Sequence, residues 1–207
     1  PGDVVGAEVG TKGSAKRSKD LLYEDPLMPV FEKDFAGMEL AAWFAELQER
    51  YCRYALQYPE YEALFSFAAA LAKLLQHKAL WRIEAPLAVR TGDRKKAAEL
   101  AEQALTLKAE TEAFAGAWRK LWHLYNKPFG FELNDIRIGG VAARFMTAAE
   151  RMRQFAAGEL ADIPELSCEK LPFSRNVPGA PEGCVRKQTW HSVASVDTLG
   201  GYTNLKS

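Results

Sequence analysis

What this sequence lacks narrows it before anything it contains. It has no net charge, with 27 Lys+Arg against 27 Asp+Glu. No clustered positive excess therefore argues for a nucleic-acid or acidic-membrane partner, and neither is expected. It has no long hydrophobic run. The longest, Phe67 to Ala72, stops at Lys73, far short of the roughly 20 residues that span a bilayer. The N-terminus shows no apolar signal-peptide core, so a cytoplasmic protein is expected. Cysteines are few: Cys52, Cys168 and Cys184, without CxxC spacing. Such a set suits neither a disulfide framework nor a zinc knuckle. Free thiols are expected, and a Cys168–Cys184 bridge stays open. His77, His123 and His191 lie far apart and lack the HExxH company of a metal site. No metal, no cofactor and no catalytic residue is expected. His191, Ser192 and Asp197 hold triad residue types, but neighbours on a strand point to opposite faces.

What is present is helix. The chain has 207 residues, 48% hydrophobic and 26% charged, enough for one well-buried domain. Residues 1–20 show no helical period and read as a flexible lead-in. Leu21 to Phe31 is apolar but carries Pro26 and Pro29, which predicts an ordered extended segment lying against something. A first helix is predicted from about Gly37 to Gln57, with Leu40, Trp43, Phe44, Leu47, Tyr51 and Tyr54 on one face. A second runs from Tyr61 to Arg82 or beyond, with a kink or break at Pro86. Gly92 suits a helix C-terminus and Asp93 an N-cap. The third helix, 94–125, is the longest. A fourth starts near Asn134 or Asp135 and ends at Gly158, burying Ile138, Val141, Phe145, Ala148, Met152 and Phe155. A short helical piece follows at 163–170. Residues 171–187 are Pro/Gly-rich loop, and 189–196 read as a short strand or extended tail.

The expected fold is all-α: an antiparallel bundle of about four long helices, with an extended N-terminal lead-in and a C-terminal loop or short strand. The domain reading is 1–20 lead-in, 21–170 bundle, 171–207 loop and tail. No βαβ rhythm appears, and a parallel-sheet barrel needs about 250 residues of it.

Special residues concentrate at 118–145. An aromatic helix face carrying Trp118, Trp122 and Tyr125 breaks at Asn126-Lys127-Pro128. The apolar turn Phe129-Gly130-Phe131 follows, bracketed by Glu132 and Asp135. Aromatics at this spacing stack on a sugar ring or, more often, form core. Gly139 and Gly140 each cost about 1 kcal/mol against alanine, and a close backbone, that of the third helix's end, is the expected reason. A phosphate cradle is the alternative, without a GxGxxG to support it. Arg137, Arg144 and Arg151, seven apart, share one helix face. That row is either a docking surface or a solvated face with ion pairs to Glu110, Glu112 or Glu150.

The run Leu121-Trp122, Asn126-Lys127-Pro128-Phe129-Gly130-Phe131-Glu132, Asp135-Ile136-Arg137, Gly139-Gly140 and Ala143-Arg144 resembles the C-terminal helical domain of bacterial glycoside hydrolase family 20, the β-N-acetylhexosaminidases. Leu21-Leu22-Tyr23-Glu24-Asp25-Pro26-Leu27 is similar to the segment where those proteins leave their catalytic barrel. Arg90 to Asp93, Gly158-Glu159, Ile163 to Leu166 and Trp190 to Ser195 agree in order. The resemblance spans about residues 17–197. Tyr125 replaces the usual Glu, and Glu84 and Pro86 depart from the pattern.

The resemblance implies enzymes that release terminal N-acetylhexosamine by substrate-assisted catalysis, with an Asp-Glu pair on a barrel strand. These 207 residues leave no room for that barrel and hold no Asp-Glu dipeptide. It therefore implies a C-terminal accessory domain apart from its barrel, a cleavage or split-gene product or a fragment. Its partner would be a catalytic barrel, in cis or as a separate chain, with room for a homodimer. The substrate or interface candidates are Trp122, Tyr125, Asn126, Phe129, Phe131, Asp135, Arg137, Arg144 and Arg151. The competing reading is a free-standing helical interaction module with no carbohydrate role.

Overall fold

A computed structural model describes residues 17–170 of the chain. Six helices follow in order: α1 (Arg17–Tyr23), α2 (Leu40–Gln57), α3 (Glu62–Thr91), α4 (Arg94–Tyr125), α5 (Phe131–Ala157) and α6 (Pro164–Ser167). The fold is all-α, with four long helices and no strand among the described residues. Short connections make α2, α3, α4 and α5 successive antiparallel neighbours. The turns α2–α3 and α4–α5 therefore share one end of the bundle, and α3–α4 lies at the other. The expected strand at 189–196 falls outside the described residues.

The helix faces follow the apolar spacing. On α5 all six predicted core positions are buried, from Ile138 to Phe155. On α4, Ala97, Leu100, Ala101, Ala104, Leu107 and Phe114 line the inner face, and the small alanines let neighbouring helices approach closely. Trp81 of α3 is the central knob. Its indole Nε1 donates to Leu100 O at 3.1 Å, and its ring meets Phe145 edge-on at 6.3 Å. The pair thereby gains area burial and a favourable quadrupole contact.

Two boundaries follow the predicted punctuation. Gly92 caps α3 at φ 72°, and the Asp93 carboxylate accepts from Lys96 N at 2.9 Å to open α4. Gly158 closes α5 at φ 84°. Beside it, the Arg94 guanidinium donates to Phe155 O and lies over the Phe155 ring, which pins α4's start to α5's end.

Other expectations are corrected. α3 runs through Pro86 without a break. Pro86 is buried, and that burial offsets the one backbone hydrogen bond it cannot make. α2 starts at Leu40 because Gly37, at φ 73°, still belongs to the preceding turn. Arg17 to Asp20 are helical, and the rest of the expected lead-in lies outside the described residues. Leu21 to Phe31 is not extended: Leu21–Tyr23 close α1, and turns follow to Gly37. It does lie against the bundle, with Leu21, Leu27 and Phe31 fully buried. We call residues 17–38 the strap. The short helix α6 covers only four residues of the expected 163–170.

Candidate functional site

The 118–131 corner is built from the end of α4. Tyr125 is the last helical residue, and Asn126 turns extended at φ −129° and ψ 161°. Trp122 Nε1 donates to Lys127 O at 2.8 Å, which fixes the loop ahead of Pro128. Gly130, at φ 96°, is the N-cap of α5. Its N–H donates to Glu132 Oε2 at 2.7 Å. The fourth helix thus opens at Phe131, and neither Asn134 nor Asp135 caps it, because the Gly130–Glu132 pair satisfies the chain's first turn earlier.

Phe131 is the one buried ring of the predicted candidates. It sits edge-on to Trp118 at 6.0 Å and tilted against Trp122 at 5.6 Å. The Arg119 guanidinium covers it at 5.7 Å and pairs with Asp135 at 2.5 Å. Trp118 continues inward to Phe114 and Phe67. These rings are core and its border. Tyr125 and Phe129 are not: both are exposed, Phe129 to 84%. The core reading fails for that pair because Tyr125 stands on the outer side of α4's last turn and Phe129 lies on the loop beyond it. Asn126 is exposed beside them.

The arginine row is divided. Arg144 forms a two-bond pair with Asp25, at 2.6 and 3.1 Å, and Asp25 raises its affinity for its proton. Arg151 lies 3.6 Å from Glu165. Arg137 is half-buried nearer the corner. The partners of Arg144 and Arg151 come from the strap and α6, not from Glu110, Glu112 or Glu150, because both segments fold back over α5. The expected close approach at Gly139 is absent: a Cβ there would meet nothing within 4 Å. Its neighbour Gly140 is buried.

The matched family decides what this corner belongs to. The family described as "Glycoside Hydrolase 20C C-terminal domain" matches residues 3–185. The chain belongs to that family. No curated protein matches it. The 20C domain is by its description the C-terminal part of a glycoside hydrolase, which implies association with a catalytic domain of family 20. No helix among its described residues is long and apolar enough to cross a membrane.

The 20C domain holds a second polar centre that the sequence reading passed over. Glu24 is buried to 1% exposure, and its carboxylate takes Arg82 at 2.8 and 3.3 Å and the Phe31 N–H at 2.9 Å. Lys78, 2% exposed, donates from Nζ to Leu22 O at 2.8 Å and Glu24 O at 2.6 Å. Burial pushes the Lys78 ammonium down to about 8, against the opposing pull of Glu24 and Asp25. Further out, Arg90 grips Glu32 at 2.9 and 3.0 Å, and its hydrogen bonds hold Glu32 below the usual carboxylate range. These groups bolt the strap to α3, while Arg144 bolts it to α5. A signal did exist. Lys78 and Arg82 stand four apart among the buried positions Leu74, Leu75, Ala79 and Ala85 of α3, where a charge needs a partner.

Of the remaining candidates, His77 Nδ1 meets Glu110 at 2.8 Å, and the His123 ring lies 6.1 Å from Phe131. Cys52 and Cys168 are free thiols. His191, Cys184 and any bridge to it lie outside the described residues.

Proposed function

We propose that this chain is the helical accessory domain of a β-N-acetylhexosaminidase-like glycoside hydrolase, which releases terminal N-acetylhexosamine from glycans and glycoconjugates. It packs on the catalytic barrel through the 121–137 corner. The observation that carries this reading is the family match over residues 3–185. The corner's architecture supports it. Phe131 and Trp118 anchor the turn from inside, and the exposed Tyr125 and Phe129 are left for a neighbour. Rigid aromatic side chains give large contact area at low entropy cost. Asn126, Trp122 and Asp135 serve to hold that turn in place, and a partner copy is a second occupant for the same region.

The test is an assay of the purified chain on a chromogenic N-acetylglucosaminide, alone and mixed with a separately expressed family 20 barrel. The chain alone should be inactive, and the mixture should show a raised barrel melting temperature or activity. Turnover by the chain alone would overturn the reading. A barrel unaffected by the chain would favour the free-standing interaction module instead.

A further inference from the structure

The second half of α3 carries apolar residues on all its sides. Its inner faces bury Leu74, Leu75, Trp81, Ala85 and Val89. Its outer side carries Leu80, Ile83 and Leu87, exposed to 44, 60 and 56%. A helix that is apolar all round is one that a fold covers all round. Among the described residues, nothing covers this outer side. Leu80, Ile83 and Leu87 stand three and four apart and so form one stripe, which the exposed Arg90 continues three residues on. Beside Leu80, the seam between α3 and α4 opens into a cavity of about 320 Å³, lined also by His77, Gln103 and Leu107.

The path of the chain points to the occupant. Arg90 Nε donates to Ser167 O at 3.3 Å, which ties the end of α6 to the end of the stripe. Lys33 then holds Glu169 at 2.6 Å. Lys170 Nζ donates back to Glu165 O and Cys168 O at 2.7 and 2.8 Å. The chain is thus fixed beside Arg90 up to the last described residue, while the matched family continues to residue 185. From Arg90 back to Leu80 is about 15 Å along the helix, and residues 171–185 can reach at most about 50 Å. Those residues include the large apolar Leu171, Phe173, Val177 and Val185, and Arg175 is balanced by Glu182. Pro172, Pro178 and Pro181 restrict the unfolded chain, so ordering this segment costs less entropy.

We propose that the α3 stripe is a docking surface for the chain's own residues 171–185, whose apolar side chains cover Leu80, Ile83 and Leu87. The stripe is then an internal surface, closed to outside partners, and α3 is the central helix that its all-round apolarity implies. This inference is independent of the function proposed above, which rests on the corner at the other end of the bundle.

Hydrogen exchange of the full chain, read by mass spectrometry at two protein concentrations, tests it. Amides of residues 171–185 should exchange about tenfold or more slowly than in a free peptide of the same sequence. The double change Ile83→Ser with Leu87→Ser should return them to the peptide's rate. Both sites are exposed, so the helices should form as in wild type. Phe173→Ser changes the other side of the contact without touching the bundle, and it should release the segment as well. Peptide-rate exchange in the wild-type chain would overturn the proposal. Protection that survives both variants would also overturn it, because the segment would then be held elsewhere. Protection that grows with concentration would show the contact to lie between two copies and would overturn the proposal too.

Discussion

Glu24 and Arg82 stand 58 residues apart and meet as a buried ion pair, with two hydrogen bonds at 2.8 and 3.3 Å. The pair joins the strap to α3 beside the buried Lys78 ammonium. Such a pair contributes little against a well-packed apolar substitute, but breaking it strands a charge. Arg82→Met should therefore destabilise the fold by roughly 3–5 kcal/mol. Urea unfolding checks it, with Glu24→Leu in the Arg82→Met background as the second arm. Removing both charges should restore part of the loss. No recovery in the double variant would mean that shape at this site outweighs charge.

Lys78 carries a pH dependence with a definite sign. Its ordinary value is 10.5, and burial lowers it to about 8 in the folded chain. Between those values the unfolded chain binds the proton and the folded chain has released it. Stability from this group therefore rises with pH through that window and is lost as pH falls through about 8. Against Lys78→Met, which removes the titration, wild type should gain on the order of 1–3 kcal/mol between pH 8 and 10.5. Denaturation midpoints of both proteins across that range measure it. A wild-type-minus-variant difference that stays flat, or falls, counts against the buried ammonium.

Two glycines of the same corner should respond in opposite directions. Gly130 sits at φ 96°, where a side chain costs roughly 1–2 kcal/mol. Gly139 lies inside α5, with open space where a Cβ would stand. Gly130→Ala should lower stability by that amount, and Gly139→Ala should raise it by about 1 kcal/mol. Thermal melts of the pair decide. A destabilised Gly139→Ala would mean that something unseen at this face needs the missing side chain.

The arginine row should separate as its partners do. Arg144 holds the half-buried Asp25 with two bonds, whereas Arg151 only approaches Glu165 of α6 at 3.6 Å, without a hydrogen bond to it. Arg144→Ala should cost about 1–3 kcal/mol, the range for losing bonds to a charged group. Arg151→Ala should stay within about 0.5 kcal/mol. Equal losses would show that the row acts as one electrostatic unit.

The helices were legible where local chemistry and packing agree. The α4 boundaries follow from Asp93 and Asn126, and the α5 stripe from its own spacing. The start of α5 was hidden because Asn134 and Asp135 are good caps that the earlier Gly130–Glu132 turn makes unnecessary. Pro86 read as a kink or break, and the break is excluded: the sequence shows the lost N–H and not the burial of the ring. The candidate site was half legible. Its residues cluster in sequence, but Phe129 turns outward on one side of Gly130 and Phe131 inward on the other, a choice made by Gly130's positive φ. Of the Glu24–Lys78–Arg82 centre, the two cations four apart on a buried face of α3 were the visible half, while Glu24, 54 and 58 residues away from them, was not.

The strap also sets an order of events. The bundle's own pairings join neighbouring helices through short turns, whereas Asp25 reaches Arg144 across 119 residues. Contacts between neighbours close early at little entropic cost, and remote ones wait. The strap should thus clasp a bundle already assembled. Weakening Asp25 or Glu24 should then leave the refolding rate nearly unchanged and speed unfolding, so that this chain's lifetime in the folded state is governed by its first described turns.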